Sequence, residues 1–152
     1  MKIYESNHYG IDLKSDNSPV TLADRAADEH ISNGIRTEFG DIQLVTEEQT
    51  LTHGKASDSF IIVDPLDGTK EFINRNGEFT VNIALIDGNE AILGLVYVPV
   101  TETLYYGLKG SGAWKEVAQE RYTLNVKPVT TQKTLNVVGS RRHGAEALER
   151  IL

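Results

Sequence analysis

The chain has 152 residues, 39 % of them apolar and 24 % charged, enough for one domain with its own core. A formal charge of −7 argues against binding nucleic acid polymers, which depends on an excess of lysine and arginine, and the absence of cysteine excludes disulfides and thiolate-held metals. No apolar run reaches the roughly 18 residues of a transmembrane segment, and "MKIYESNHYG" lacks the apolar stretch of a signal peptide, so a cytoplasmic protein is expected.

In chain order, "NSPVTLAD" predicts a loop that Pro19 keeps extended and then a helix, with Thr21 at the cap and Asp24 in capping-box position. Ala27, Ile31, Ile35 and Phe39 recur every four residues as its apolar stripe, and Gly40 ends it. Ile42 to Glu48 predicts a short strand closing on two glutamates. A loop rich in Thr, Ser and Gly leads to a second strand, Phe60 to Asp64, and past "DPLDGT" a helix starts near Thr69. "FTVNIALI" alternates with period two, and "DGNE" at Asp87 to Glu90 predicts a hairpin turn into "AILGLVYVPV", a strand stopped at Pro99. Short strands are expected in "LYYG" and "GAWK". "LNVVGS" is expected to rise into a last helix, "HGAEALERIL", whose Ala147, Leu148, Ile151 and Leu152 have helical spacing but no cap. Hairpins flanked by helices give an α+β class, a predominantly antiparallel sheet layered with helices, with no internal repeat.

The chemistry concentrates around "FIIVDPLDGTKEF". With Pro65 barring further pairing and Gly68 permitting a tight turn, Asp64 and Asp67 face a common point, and the Leu66 carbonyl is left without a ladder partner. Carboxylates that close repel each other unless a cation sits between them. Oxygen ligands of this kind suit Mg²⁺, and the start of the following helix favours an anion such as phosphate. Glu47 and Glu48 end the preceding strand as further carboxylates, and Glu47 to Glu78 holds seven acids against three bases, an excess that cations would neutralise. Taken alone, Asp-Gly is also ordinary turn chemistry, and Asp24 is equally a helix cap.

"DPLDGT" with "TEE" and "SPVTLAD" upstream resembles the signature of the inositol monophosphatase-like, lithium-sensitive, magnesium-dependent phosphatases. The longer run "DPLDGTKEFINRNGEFTVNIALIDG", with "NSPVTLAD" and "GSRRH", is most similar to the bacterial 3′(2′),5′-bisphosphate nucleotidase branch. The resemblance implies two or more Mg²⁺ ions, with Glu47, Asp64, the Leu66 carbonyl and Asp67 as ligands, and inhibition by Li⁺. It implies that Thr69 and Asp24, with Glu47, activate a water. It further implies that the backbone N–H groups of Gly68 and Thr69 hold the phosphate, and that Ser140, Arg141 and His143 lie near the substrate, where a solvated strand-to-helix corner would explain them equally. The implied reaction converts 3′-phosphoadenosine 5′-phosphate to AMP and phosphate in sulfur assimilation; inositol monophosphate is the alternative substrate, and a non-catalytic remnant the alternative outside enzymes.

The resemblance also implies a longer protein. The family has a helix of some two dozen residues before the point matching Met1 and a metal-binding aspartate, in a W-D-x-x-A motif, beyond Leu152, whereas Trp114 here is followed by Lys115. Residues 1–152 are therefore expected to be a single partial phosphatase domain, incomplete at both ends, that turns over poorly alone and dimerises through apolar surface near Val96, Val98 and Val100. The four histidines, His8, His30, His53 and His143, are never at i, i+4 and predict no zinc site, and "GSGAWK" falls short of a dinucleotide fingerprint.

Overall fold

The computed structural model describes residues 1–6, 8–14, 18–54 and 57–126, so "LNVVGS", "HGAEALERIL", Ser140, Arg141 and His143 lie outside the described residues. A seven-stranded sheet runs in the order β3 (Gln43–Thr46), β4 (Ser59–Asp67), β5 (Thr80–Asp87), β6 (Glu90–Val98), β7 (Thr103–Leu108), β8 (Gly112–Val117) and β9 (Glu120–Leu124). The pair β3–β4 is parallel and every later pair is antiparallel. A separate two-stranded hairpin, β1 (Asp12–Leu13) with β2 (Pro19–Val20), precedes the long helix α2 (Leu22–Phe39), and the described residues also hold short helices α1 (Lys2–Ser6) and α3 (Thr69–Ile73) and a 3-10 turn at Thr50–Thr52.

Helix α2 begins as the sequence predicts. Thr21 Oγ1 accepts from Ala23 N–H at 3.1 Å, and Asp24 Oδ2 accepts from Thr21 N–H at 2.7 Å, closing the capping box. Gly40, at φ 64°, ends it by donating its N–H to the Arg36 carbonyl at 3.1 Å. Its buried stripe differs from the expected one: Asp24, Asp28, Ser32 and Ile35 are buried, and Phe39 is exposed. The helix is turned so that its first half presents polar side chains inward. Its second half is apolar, with Ile35 packed on Leu44, Ile61 and Val63.

Strand β4 also departs from expectation, because it runs through Asp67 and does not stop at Asp64. Asp64 pairs with Asn82 and Asp67 with Thr80, so three steps on β4 face two on β5. The extra residue is a bulge, and Pro65, which has no N–H to give the ladder, sits inside it. Leu66 N–H turns instead to Asp64 Oδ1 at 3.1 Å. A regular strand would put residues three apart on opposite faces, and the bulge brings Asp64 and Asp67 back to one face.

Two features went unpredicted. The β1–β2 hairpin has two residues per strand, too few for an alternating pattern. Strand β9 follows a tight turn in which Ala118 and Gln119 take φ of 50° and 66°, a conformation that sequence usually announces with Asn-Gly.

Candidate active site

Three segments meet at the carboxyl ends of the parallel pair β3–β4: the turn after β3 with Glu47 and Glu48, the β4 bulge leading into α3, and the capped start of α2. Glu47 N–H continues the parallel ladder by donating to the Val63 carbonyl at 3.1 Å. Gly68 joins bulge to helix at φ 94°, and a Cβ there would stand 2.9 Å from the Glu78 carbonyl, so no other residue fits without displacing backbone. The joint rests on an aromatic cluster in which Tyr4, Phe72 and Phe79 have ring centroids 5.0 to 5.1 Å apart. Phe72 and Phe79 are buried there with Leu66.

Asp24 is 1 % exposed and links the cap to the bulge. Its Oδ2 takes the N–H and Oγ1–H of Thr21 at 2.7 and 2.6 Å, and its Oδ1 takes the Thr69 hydroxyl at 3.0 Å. Thr69 Oγ1 is also 3.3 Å from the Leu66 carbonyl. Across the bulge, Asn82 Nδ2 donates to Asp67 Oδ2 at 3.1 Å, fixing that carboxylate on the face it shares with Asp64. Burial pushes the Asp64 carboxyl up to about 7, with the Glu47 and Asp67 carboxylates adding to the rise and the Leu66 N–H opposing it.

Lys14, on the β1–β2 hairpin, places its ammonium 2.6 Å from Glu47 Oε1 and 2.7 Å from Glu48 Oε1. Burial alone would lower its pKa, but the two glutamates outweigh burial and hold it above the usual lysine value. Glu48 is raised by burial, which Lys14 only partly offsets. Sequence reasoning missed Lys14, Thr21 Oγ1 and Asn82 as members of this centre. A lone lysine in a polar loop carries no spacing signal, whereas Asn82, two residues beyond Thr80 on a strand paired with β4, was open to inference once the bulge was known.

The structure thus brings Asp24, Thr69, Gly68, Leu66, Asp64, Asp67 and Glu47 into one region. Among the described residues, no three Asp, Glu or His side chains stand around a single point at coordinating geometry. The donors nevertheless fit a hard divalent cation: all are oxygens, and burial raises Asp64 beside the Glu47 and Asp67 carboxylates, which add to the rise.

Residues 1–150 match the model of the inositol monophosphatase family. The chain belongs to that family. It is 43 % identical over 158 aligned residues to the 3′(2′),5′-bisphosphate nucleotidase CysQ of Shigella flexneri, covering 100 % of this chain and 61 % of that protein. Among solved structures it is similar to CysQ of Bacteroides thetaiotaomicron, at 43 % identity and TM-score 0.61, covering 85 % of this chain and 46 % of that one. It is likewise similar to the extragenic suppressor protein suhB of Bartonella henselae, at 30 % identity and TM-score 0.68, covering 75 % and 45 %. The chain therefore spans about three fifths of the length of the curated relatives it matches. Among the described residues no helix is long and apolar enough to cross a membrane.

Proposed function

We propose that this chain carries the metal- and phosphate-holding part of a phosphatase domain, and that the whole protein is a Mg²⁺-dependent 3′(2′),5′-bisphosphate nucleotidase releasing the 3′-phosphate of 3′-phosphoadenosine 5′-phosphate. The observation that carries the reading is the hydrogen-bonded line Thr69–Asp24–Thr21 set against the Asp64–Asp67 face. The identity to CysQ nucleotidases supports the choice of substrate.

Glu47, Asp64, Asp67 and the Leu66 carbonyl would hold Mg²⁺, which supplies a Lewis acid that makes water nucleophilic near neutral pH and balances phosphate charge. The chain's own part is positioning and proton transfer. Asp24, its Oδ2 engaged by two donors, accepts a hydrogen bond from the Thr69 hydroxyl on Oδ1, which leaves the Thr69 oxygen able to accept from a further donor. Thr69 Oγ1 can then take a proton from an attacking water while passing its own to Asp24. Backbone N–H groups at Gly68 and Thr69 would meet the phosphate oxygens, on a turn whose glycine packs closely against the Glu78 carbonyl.

The test is phosphate release by the whole protein from 3′-phosphoadenosine 5′-phosphate and from inositol 1-phosphate at millimolar Mg²⁺, alongside calorimetric titration with Mg²⁺. A higher kcat/KM for the bisphosphate and saturable Mg²⁺ uptake are expected. Equal kcat/KM for the two esters removes the nucleotidase assignment, and absence of Mg²⁺ uptake removes the phosphatase reading itself.

A further inference from the structure

Asp28 stands one helical turn beyond Asp24 on α2 and is only 4 % exposed. Its Oδ2 accepts from Gln49 Nε2 at 2.6 Å, and the same amide reaches the buried Ser32 Oγ at 3.3 Å. Its Oδ1 is buried without a hydrogen-bond partner among the described residues. A buried carboxylate with half its acceptors unmet is unfavourable by itself, so its bond to Gln49 has to offset that.

Gln49 is the centre of a closed turn. Its N–H donates to Thr46 Oγ1 at 3.2 Å, and its carbonyl accepts from Thr52 N–H at 2.8 Å and Thr52 Oγ1 at 2.6 Å. Thr46 N–H donates to Thr52 Oγ1 at 3.0 Å, and the Thr46 carbonyl is bonded to His53 Nε2 at 2.7 Å. Glu47 and Glu48 lie between Thr46 and Gln49, so whatever holds Gln49 also holds them. Asp24 and Asp28 share one helix face, and this turn is tied to that face through the Gln49 amide.

We propose that Asp28 is a positioning residue: by gripping Gln49 it fixes the Glu47–Glu48 turn to the helix that carries Asp24, so that the metal-holding and proton-accepting parts of the site keep one spacing. Its consequence for metal binding rests on the phosphatase reading, whereas the latch rests on the hydrogen bonds alone.

Three variants and two measurements test it. Asp28→Asn keeps a carbonyl oxygen for Gln49 and removes the charge, Asp28→Ala removes both, and Gln49→Met removes the donor while filling the space. Mn²⁺ affinity is read by electron paramagnetic resonance, and hydrogen exchange of residues 46–52 is read in the metal-free chain. Asp28→Ala and Gln49→Met are expected to weaken Mn²⁺ binding by about 10-fold or more, as losses of outer-shell support do, and to speed exchange of the turn; Asp28→Asn should match the parent in both. Unchanged exchange in Asp28→Ala overturns the proposal, as does an Asp28→Asn that loses as much Mn²⁺ affinity as Asp28→Ala, since charge would then be the cause. If Asp28→Ala does not fold, Gln49→Met decides. If the parent chain takes up no Mn²⁺, the phosphatase reading falls, and the exchange rates alone decide the latch.

Discussion

Helix α2 meets the molecule in two ways along its length. From Asp24 to Ser32 the buried positions are Asp24, Asp28 and Ser32, each engaged by directional bonds to the cap, the β4 bulge or the turn after β3. Over its second half Ile35 joins Leu44, Ile61 and Val63 in contacts that have no direction. The polar half fixes the relative placement of three segments to within a hydrogen bond, at the expense that every partner is needed. The aliphatic half supplies cohesion and tolerates exchange between side chains of equal volume.

Substitutions can break this contrast in order of effect. Asp24→Ala removes the acceptor of three donors in a nearly inaccessible place, so a loss of about 4 kcal/mol from cap and unmet donors is expected, with phosphate release by the whole protein down about 10²-fold or more. Urea denaturation together with a phosphate assay checks both, and a stable but inactive variant would separate the two roles assigned to Asp24. Ile61→Ala, in the aliphatic half, should cost about 3 kcal/mol in the same denaturation and leave Mg²⁺ uptake by the folded chain unchanged. A tenfold loss of Mg²⁺ affinity there would show that the two halves are not independent.

Asp64 sharpens the comparison through pH. Burial and its neighbours raise it from the usual 3.8 to about 7, so between those values the folded chain holds a proton that the unfolded chain has released. Stability from this group is therefore greatest below about 3.8, falls as pH rises, and is lost above about 7. Asp64→Asn is expected to stabilise the metal-free chain at pH 8 by about 1 kcal/mol, the full shift being discounted for a half-buried carboxyl, with the gain vanishing near pH 3.5. Denaturation curves of equal displacement at both pH values would contradict this. Least of all, Asp12→Ala breaks an exposed pair in which Arg25 Nη2 lies 2.7 Å from Asp12 Oδ2, and should move stability by under about 0.5 kcal/mol, since solvent screens such pairs.

The features visible in sequence were those with a local cause. The Thr21–Asp24 capping box, the strand patterns of β5 and β6 and the Gly68 turn each follow from a few adjacent residues, and the structure has them where the spacing put them. The α2 face was legible only in part: Ile31 and Ile35 pack on the core as their spacing predicts, whereas the buried positions nearer its start are polar. Asp28 and Ser32 carry no apolar signal, and the partner that satisfies them, Gln49, comes from another element. The β4 bulge was missed because pairing through Asp67 depends on Thr80, which only the folded sheet supplies. Lys14 and Glu47 are 33 residues apart, a separation across which spacing carries no information.

The order of the large sheet bears on how the site comes into being. From β5 to β9 each strand pairs with its immediate successor, so those four pairings need only short loops to close. The parallel pair β3–β4 requires a crossover, and the bonds from α2 to the bulge span 45 residues of chain. Loop closure of that length slows formation of the contacts it serves. The meander is thus the part able to assemble early from local contacts, while Asp24, Glu47 and Thr69 come together only at the slow step, making the acquisition of the site a late event in folding.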